Sequence, residues 1–349
     1  MLRAGHALAP RRNTPMSDVA SFRWGLIGAS DIAETRVIPA IRALSEEISA
    51  VASGAGSHAE AFAARNAIPA VHTSLEEMLA RDNVDGVYVS SVNERHLDQV
   101  KASAAAGKHV LCEKPIAVSV AEAHAMTEFC RGREVILAIN HHLPAMGTHR
   151  KIRELVANGA IGRPLSVAVR NTGLLPDRLA GWRLGKGPGA GVVLDIATHD
   201  ASVTENLLGL RPLEVAAMTV AHGDRPSDSA DTSVALIRYE NDVIASFHDS
   251  YATPFARSLV ELHGTEGSIR APEIMTPDPI GEVFLVDARG ERRIDVEDRG
   301  NAYERTIRAF VAATAGEGAP LVDGEMATRA LAVAAAIGES SRSGERVRL

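Results

Sequence analysis

Three residues of this 349-residue chain have the types and spacing for proton and carbonyl chemistry. Lys114 stands in "HVLCEKPIA", where a strand-like run ends in Glu113-Lys114-Pro115. Pro115 forces Lys114 out of the helical region, and a cis peptide there would fix the lysine's direction. Asp195 and His199 lie in "GAGVVLDIATHDAS", four positions apart, so a helix over Asp195–Leu207 puts them on one face. A cation beside a carbonyl oxygen, an imidazole carrying a proton and a carboxylate supporting that imidazole would serve hydride transfer at a C=O or CH–OH carbon. Each residue also has a plainer reading. Lys114 could be a solvated charge at a strand end, Asp195 a helix cap and His199 a packed helix residue.

Such chemistry needs a hydride carrier, and "WGLIGASDIAE" (Trp24–Glu34) reads as a strand-to-helix turn that would bind one. There the backbone N–H groups of a helix start, here Asp31 and Ile32, meet a pyrophosphate. Gly28 supplies the tight turn, Ser30 stands where a second glycine is usual, and Ala33 fills the position where helix meets strand. The next strand ends at Ser53 in "VASGAGSH", and no acid follows until Glu60. A carboxylate at that strand end would bind the ribose hydroxyls of NAD(H) and repel a 2′-phosphate. Its absence points to NADP(H), faced by Ser53, Ser57 and His58, with NAD(H) as a second possible cofactor.

The pattern of elements around these residues defines the fold class. From Arg23, strand-like runs ("RWGLIG", "ISAVAS", "VDGVYVSS", "KHVLCEK", "EVILAIN") alternate with helical ones at Ile32–Leu44, Ala59–Asn66, Leu97–Ala106 and Val120–Arg131. That alternation specifies a doubly wound parallel sheet, an α/β Rossmann domain over residues 22–144. After a helix in "THRKIRELVANG" the rhythm changes to strands: "LSVAVRNT", "LEVAAMTV", "TSVALIRYE", "DVIASFHDSY", "SLVELHG" and "EVFLVDA". Helices at Asp195–Leu207, Tyr303–Ala315 and Met326–Ile337 accompany them. Residues 145–349 are thus expected to form an α+β domain with a large, mostly antiparallel open sheet, binding substrate and giving a homo-oligomer through its second face.

Composition narrows the partners. At 46% hydrophobic and 23% charged, the chain can bury a large core, and its net charge of -7 argues against nucleic acid or an anionic membrane. No apolar run reaches the roughly 18 to 20 residues of a membrane span. Residues 1–21, opening "MLRAGHALAPRRNTP", read as a disordered extension rather than a secretory signal, with Met16 as an alternative start to Met1. Cys112 and Cys130 form no disulfide framework or zinc spacing, which fits a reducing cytoplasm. His141, His142 and His149 invite a metal, but adjacent strand residues point to opposite faces and no carboxylate completes a spacing, so none is expected.

"GLIGAS", "VYVSSVNERH", "GKHVLCEKP", "INHH" and "GVVLDIATHD" occur in an order and spacing that resemble the Gfo/Idh/MocA oxidoreductases, over Arg23 to Leu349. The pairing of E-K-P with D-x-x-x-H is far more specific than the glycine loop. The resemblance implies an NAD(P)-dependent oxidoreductase acting on a small carbohydrate. Lys114 and His199 would flank the substrate carbonyl, with Asp195 nearby and His142 lining the sugar pocket. It places Ser91, Asn93, His96, Glu113, Trp182 and Arg183 beside the cofactor, with Gly28, Ser30, Asp31, Ile32, Ala33, Ser53, Ser57 and His58. Two positions depart from the family pattern: Val92 replaces the usual proline before the asparagine, and His58 stands where an arginine would grip the 2′-phosphate. A non-catalytic dinucleotide-sensing regulator of the same architecture is the reading from another class, and an intact Lys114, Asp195 and His199 speak against it.

Overall fold

The computed structural model describes residues 21–54, 56–187, 189–222 and 229–349. Of the expected amino-terminal extension, only Ser21 falls among them, so Met1 and Met16 lie outside the described residues.

The amino-terminal half is built on six parallel strands: β1 (Arg23–Ile27), β2 (Glu47–Ala52), β3 (Val71–His72), β4 (Gly86–Val89), β5 (His109–Cys112) and β6 (Leu137–Ile139). Their order is β3-β2-β1-β4-β5-β6, so the winding reverses between β1 and β4. The carboxyl ends at such a reversal form the crevice where open α/β sheets bind ligands. Helices α1 (Ile38–Ala43), α2 (Gly56–Arg65), α3 (Leu75–Leu79), α4 (His96–Ala105) and α5 (Val120–Arg131) cover the faces. Strand residues such as Trp24, Leu26, Val87 and Leu111 are therefore fully buried. Helix starts follow local chemistry. Ser119 caps α5 by accepting from Glu122 N–H at 3.2 Å, with the acidic residue three positions on that a capping box requires.

After α6 (Gly147–Ala157) come β7 (Pro164–Thr172), α7 (Asp177–Arg183), α8 (Thr198–Leu208), β8 (Pro212–Val220), β9 (Thr232–Tyr239), β10 (Ile244–Ser250), β11 (Leu259–Gly264), β12 (Gly267–Pro272), β13 (Val283–Asp287) and β14 (Gly290–Ile294). With β15 (Val347–Arg348) they form a nine-stranded sheet, β14-β13-β12-β11-β7-β10-β9-β8-β15. Its pairs are antiparallel except β7 with β10. The two folds of the molecule, a Rossmann-like parallel sheet and a separate mostly antiparallel sheet, are those the alternation of runs indicates.

The closing helices α9 (Ala302–Thr314) and α10 (Gly324–Ser343), counted with the second domain in the sequence, also bury into the first. Phe310 packs against Trp24 at a tilt with ring centroids 5.2 Å apart and meets Phe22 edge-on at 5.9 Å. Ala327 and Leu331 join the core of β5 and α5, and Asp323 bridges to Ala138 at the edge of β6. The halves therefore share their packing through the chain's end.

Candidate active site

Gly28 closes β1 with φ of +100°, a conformation that favours glycine, and a Cβ there would lie 3.0 Å from the Ser90 and Ser91 backbone. The turn is pinned by Gly28 N–H donating to Ala52 at 2.9 Å. Ser30 accepts from Ala33 N–H at 3.2 Å and donates to Ser90 Oγ at 2.8 Å, tying the loop to the end of β4. A widened π-helical turn, Ala33–Val37, then leads into α1. The loop thus has the tight backbone and N-terminal N–H groups that a dinucleotide pyrophosphate needs. Asp31 is exposed and Ile32 partly buried at its rim.

Ser53 follows β2, and Ser57 and His58 are exposed on α2. His58 Nε2 lies 3.0 Å from the Ala29 carbonyl, which brings the imidazole onto the first loop. Arg65, farther along α2, is held by Glu34 at 3.0 Å. Beyond β4, Ser91 donates to Gln99 at 2.6 Å, while Asn93 touches the glycine-rich segment at Gly189. His96 is buried with Nδ1 3.1 Å from the Pro115 carbonyl, and burial lowers its pKa.

Lys114 follows β5, and its peptide to Pro115 is cis. The preceding Glu113 accepts from Tyr88 OH at 2.5 Å and from Asn140 Nδ2 at 2.6 Å, linking β4 and the exit of β6 behind the lysine. Burial raises the Glu113 pKa, partly offset by those two donors. Lys114 Nζ reaches across to the other half, donating to Asp195 Oδ1 at 2.6 Å and to the Asp195 carbonyl at 2.9 Å. An ammonium has three donors, so one remains for a ligand.

The expected helix over Asp195–Leu207 begins instead as a π-helical turn, Val193–Ala197, and becomes α8 at Thr198. Such widened turns are frequent at functional sites. Asp195 does not serve His199, as the sequence reading supposed. Its second oxygen accepts from Arg183 Nε at 2.8 Å and Tyr251 OH at 2.5 Å, so Lys114, Arg183 and Tyr251 together hold the carboxylate. Burial alone would raise the Asp195 pKa, but the Lys114 and Arg183 charges and the Lys114 and Tyr251 hydrogen bonds hold it well below the usual carboxylate range. Tyr251, on the segment after β10, escaped sequence reasoning because nothing in "HDSYATP" links it to a helix more than fifty residues earlier.

His199 is buried, and its Nδ1 has no partner among the described residues. Burial first, then the Lys114 charge, depress its pKa well below the ordinary value, which disfavours the charged ring. The His142 ring meets it edge-on at 5.4 Å and stacks on Tyr303 of α9 at 5.1 Å, while His141 lies edge-on at 5.5 Å and bonds Ser202 at 3.1 Å. Trp182 is 46% exposed, and its ring stacks on the Arg183 guanidinium at 4.5 Å. It is not a core residue.

A dinucleotide-type loop on one half and a lysine-centred polar site shared with the other define an oxidoreductase architecture, and comparison with known proteins agrees. Residues 22–141 match the oxidoreductase family model with an NAD-binding Rossmann fold, and residues 149–270 match the GFO/IDH/MocA C-terminal domain. The chain belongs to the Gfo/Idh/MocA family of oxidoreductases. It is 40% identical to the 1,5-anhydro-D-fructose reductase of Ensifer adhaerens over 93% of this chain and 97% of that one. It is 30% identical to a D-xylose 1-dehydrogenase (NADP(+)) of Haloferax volcanii, over 93% and 99%. Among solved structures, a 3-ketoreductase from Actinomadura kijaniata in complex with TDP-benzene and NADP superposes with a TM-score of 0.80 at 26% identity, covering 92% of this chain and 98% of that one. An aldose-aldose oxidoreductase from Caulobacter crescentus superposes at 0.86 over 95% and 100%; at 21% identity, this likeness concerns the fold.

Proposed function

We propose that this protein is an NADP(H)-dependent reductase of a sugar ketone, with 1,5-anhydro-D-fructose, reduced to 1,5-anhydro-D-mannitol, as its substrate. The observation that carries the reading is Lys114, anchored twice on Asp195 with one donor left over, in a chain 40% identical to a reductase of that ketone. When bound, the nicotinamide ring supplies the hydride that goes to the carbonyl carbon. Lys114 polarises the carbonyl oxygen and gives it a proton as the alkoxide forms. Of the two roles the sequence leaves exchangeable, the proton is given to the ammonium because burial and the Lys114 charge disfavour a charged His199. His199 Nε2 holds the same oxygen or a neighbouring hydroxyl, His142 borders the sugar, and Asp195, with Arg183 and Tyr251, fixes where Lys114 points.

Selectivity for NADP(H) rests on Ser53, Ser57 and His58 in place of a strand-end carboxylate, and on the absence of charge repulsion there. With no arginine in that loop, NAD(H) is used more slowly but not refused. Both cysteines are free and buried, in keeping with a reducing cytoplasmic setting. A second reading, oxidation of an aldose or polyol by the same residues, draws on the xylose dehydrogenase likeness. Following NADPH and NADH absorbance with 1,5-anhydro-D-fructose present tests the proposal. Rapid loss of NADPH absorbance is expected. Binding of both cofactors without turnover, together with reduction of NADP(+) by an aldose, selects the second reading.

A further inference from the structure

Beneath the site lies a pair of acids that the chemistry above does not use. Asp200, next to His199 in the first turn of α8, is fully buried, and so is Asp249 on β10. Each carboxylate has one oxygen accounted for. Asp200 Oδ1 accepts from Asn171 Nδ2 of β7 at 3.0 Å, and Asp249 Oδ2 accepts from Ser233 Oγ of β9 at 3.3 Å. The other two oxygens, Asp200 Oδ2 and Asp249 Oδ1, are buried with no donor among the described residues, and the two acids meet around Asn171, which donates to Asp200 and is the register partner of Asp249 across β7 and β10. Two ionised carboxylates cannot satisfy that arrangement, because neither has a hydrogen to give and their charges repel without solvent between them.

We propose that Asp200 and Asp249 act as one acid holding a single proton between them, and that this proton fastens the first turn of α8, and so His199, to the sheet. Asp200 and Asp249 are then positioning residues. The direction of their titration agrees: burial raises the Asp200 pKa to about 6, and burial with the neighbouring Asp200 charge raises that of Asp249 well above its ordinary value. No lysine or arginine among the described residues hydrogen-bonds or ion-pairs with either acid. The buried titratable groups on and beside the elements packed around them include Asp195 on the π-helical turn before α8, Asp231 just before β9, Tyr239 on β9, Tyr251 after β10, His199 on α8, His141 at the exit of β6 and His149 on α6, while Arg329 of α10 is paired with Glu205.

The positioning of His199 rests on the function proposed above, but the shared proton does not, so the two are tested separately. The native pair keeps a proton that unfolded carboxylates have already lost above about pH 4, so stability must fall as pH rises until the native pair ionises. Thermal melts from about pH 6 to about pH 9 are compared for the wild type and Asp249→Asn, whose amide keeps a donor but has no proton to lose. The wild-type Tm should decline across this range and that of the variant should decline less. Superimposable pH dependences would overturn the shared proton. In the activity arm, Asp249→Leu should lower kcat about tenfold, a transition-state loss readily resolved, with KM for NADPH unchanged. Asp249→Asn should restore kcat and flatten its alkaline decline. A folded Asp249→Leu variant with wild-type kcat would overturn the positioning role. If that variant does not fold, failure of Asp249→Asn to flatten the alkaline kcat profile overturns it instead. An enzyme inactive on every sugar ketone, with the melts behaving as expected, would sink the proposed substrate and leave the acid pair standing.

Discussion

At the scale of single residues, the site is a lysine held by a carboxylate with three donors, beside a buried histidine. On the proposed mechanism, removing the ammonium takes away both the polarising charge and the proton source. Lys114→Met should therefore lower kcat by at least about 100-fold, with the dissociation constant for NADPH nearly unchanged, whereas His199→Gln should cost about tenfold, because the amide keeps a hydrogen bond. Steady-state kinetics and cofactor titration of both variants check this; an equal loss in the two would return the proton to His199. The same buried imidazoles govern stability in acid. His141 and His149 are pushed down to about 3, and His199 also lies well below its ordinary value, chiefly by burial. An unfolded histidine binds its proton near pH 6.5, so between there and pH about 3 the unfolded chain holds more protons and stability falls as pH falls. Each ring contributes a slope of about 1.4 kcal/mol per pH unit, opposed over part of the range by the Asp200–Asp249 pair. Urea unfolding at about pH 7 and about pH 5.5 should show the lower-pH protein to be less stable.

At the scale of elements, the parts that position the site differ in how openly the sequence displays them. The strands carrying Gly28, Ser53 and Lys114 are apolar runs closed by turn residues, and their period and spacing identify a parallel sheet directly. Where pattern is weak, the reading misses elements. β3 and β15 have two residues each, and β14, "GERRI", is an edge strand whose charged residues show no alternation. β12 begins at Gly267, inside what reads only as the turn "GTEGS". Within the site, Lys114, Asp195 and His199 are legible because motif spacing marks them. Tyr251 and Asp249 are not, because their partners are brought to them by strand pairing rather than by sequence distance. The first turn makes the most direct element-level test. Gly28→Ala puts a Cβ into the Ser90–Ser91 backbone at positive φ, so a strain of about 1–3 kcal/mol is expected. Calorimetric titration with NADPH should show affinity reduced more than tenfold, and unchanged affinity would mean the dinucleotide does not use this turn.

At the scale of the whole molecule, α8 and α10 pack on the nine-stranded sheet, while part of its surface is exposed and apolar. Along β9 the burial alternates: Ala235 and Ile237 point inward, while Val234 and Leu236 are about half exposed. Cross-strand register extends that outer face, pairing Val234 with Met218 of β8 and with His248 of β10, and Leu236 with Ala216 and Ser246. Met218 is 79% exposed, and Val220 and Ile244 add further apolar surface. A solvated sheet face ordinarily carries polar side chains, so a contiguous apolar row marks a contact surface, and a self-complementary sheet face suits a two-fold partner. We expect a homo-oligomer joined through this face, with Lys114 on the far half and untouched by assembly. Light scattering on a sizing column should show more than one chain per particle at micromolar concentration. Leu236→Arg combined with Val234→Lys should give monomers that retain NADPH binding, because the like charges would be buried without a partner in the interface but solvated in the free chain. A wild type that elutes as a monomer at every concentration would remove this sheet face from the oligomer and leave its apolar row to some other partner.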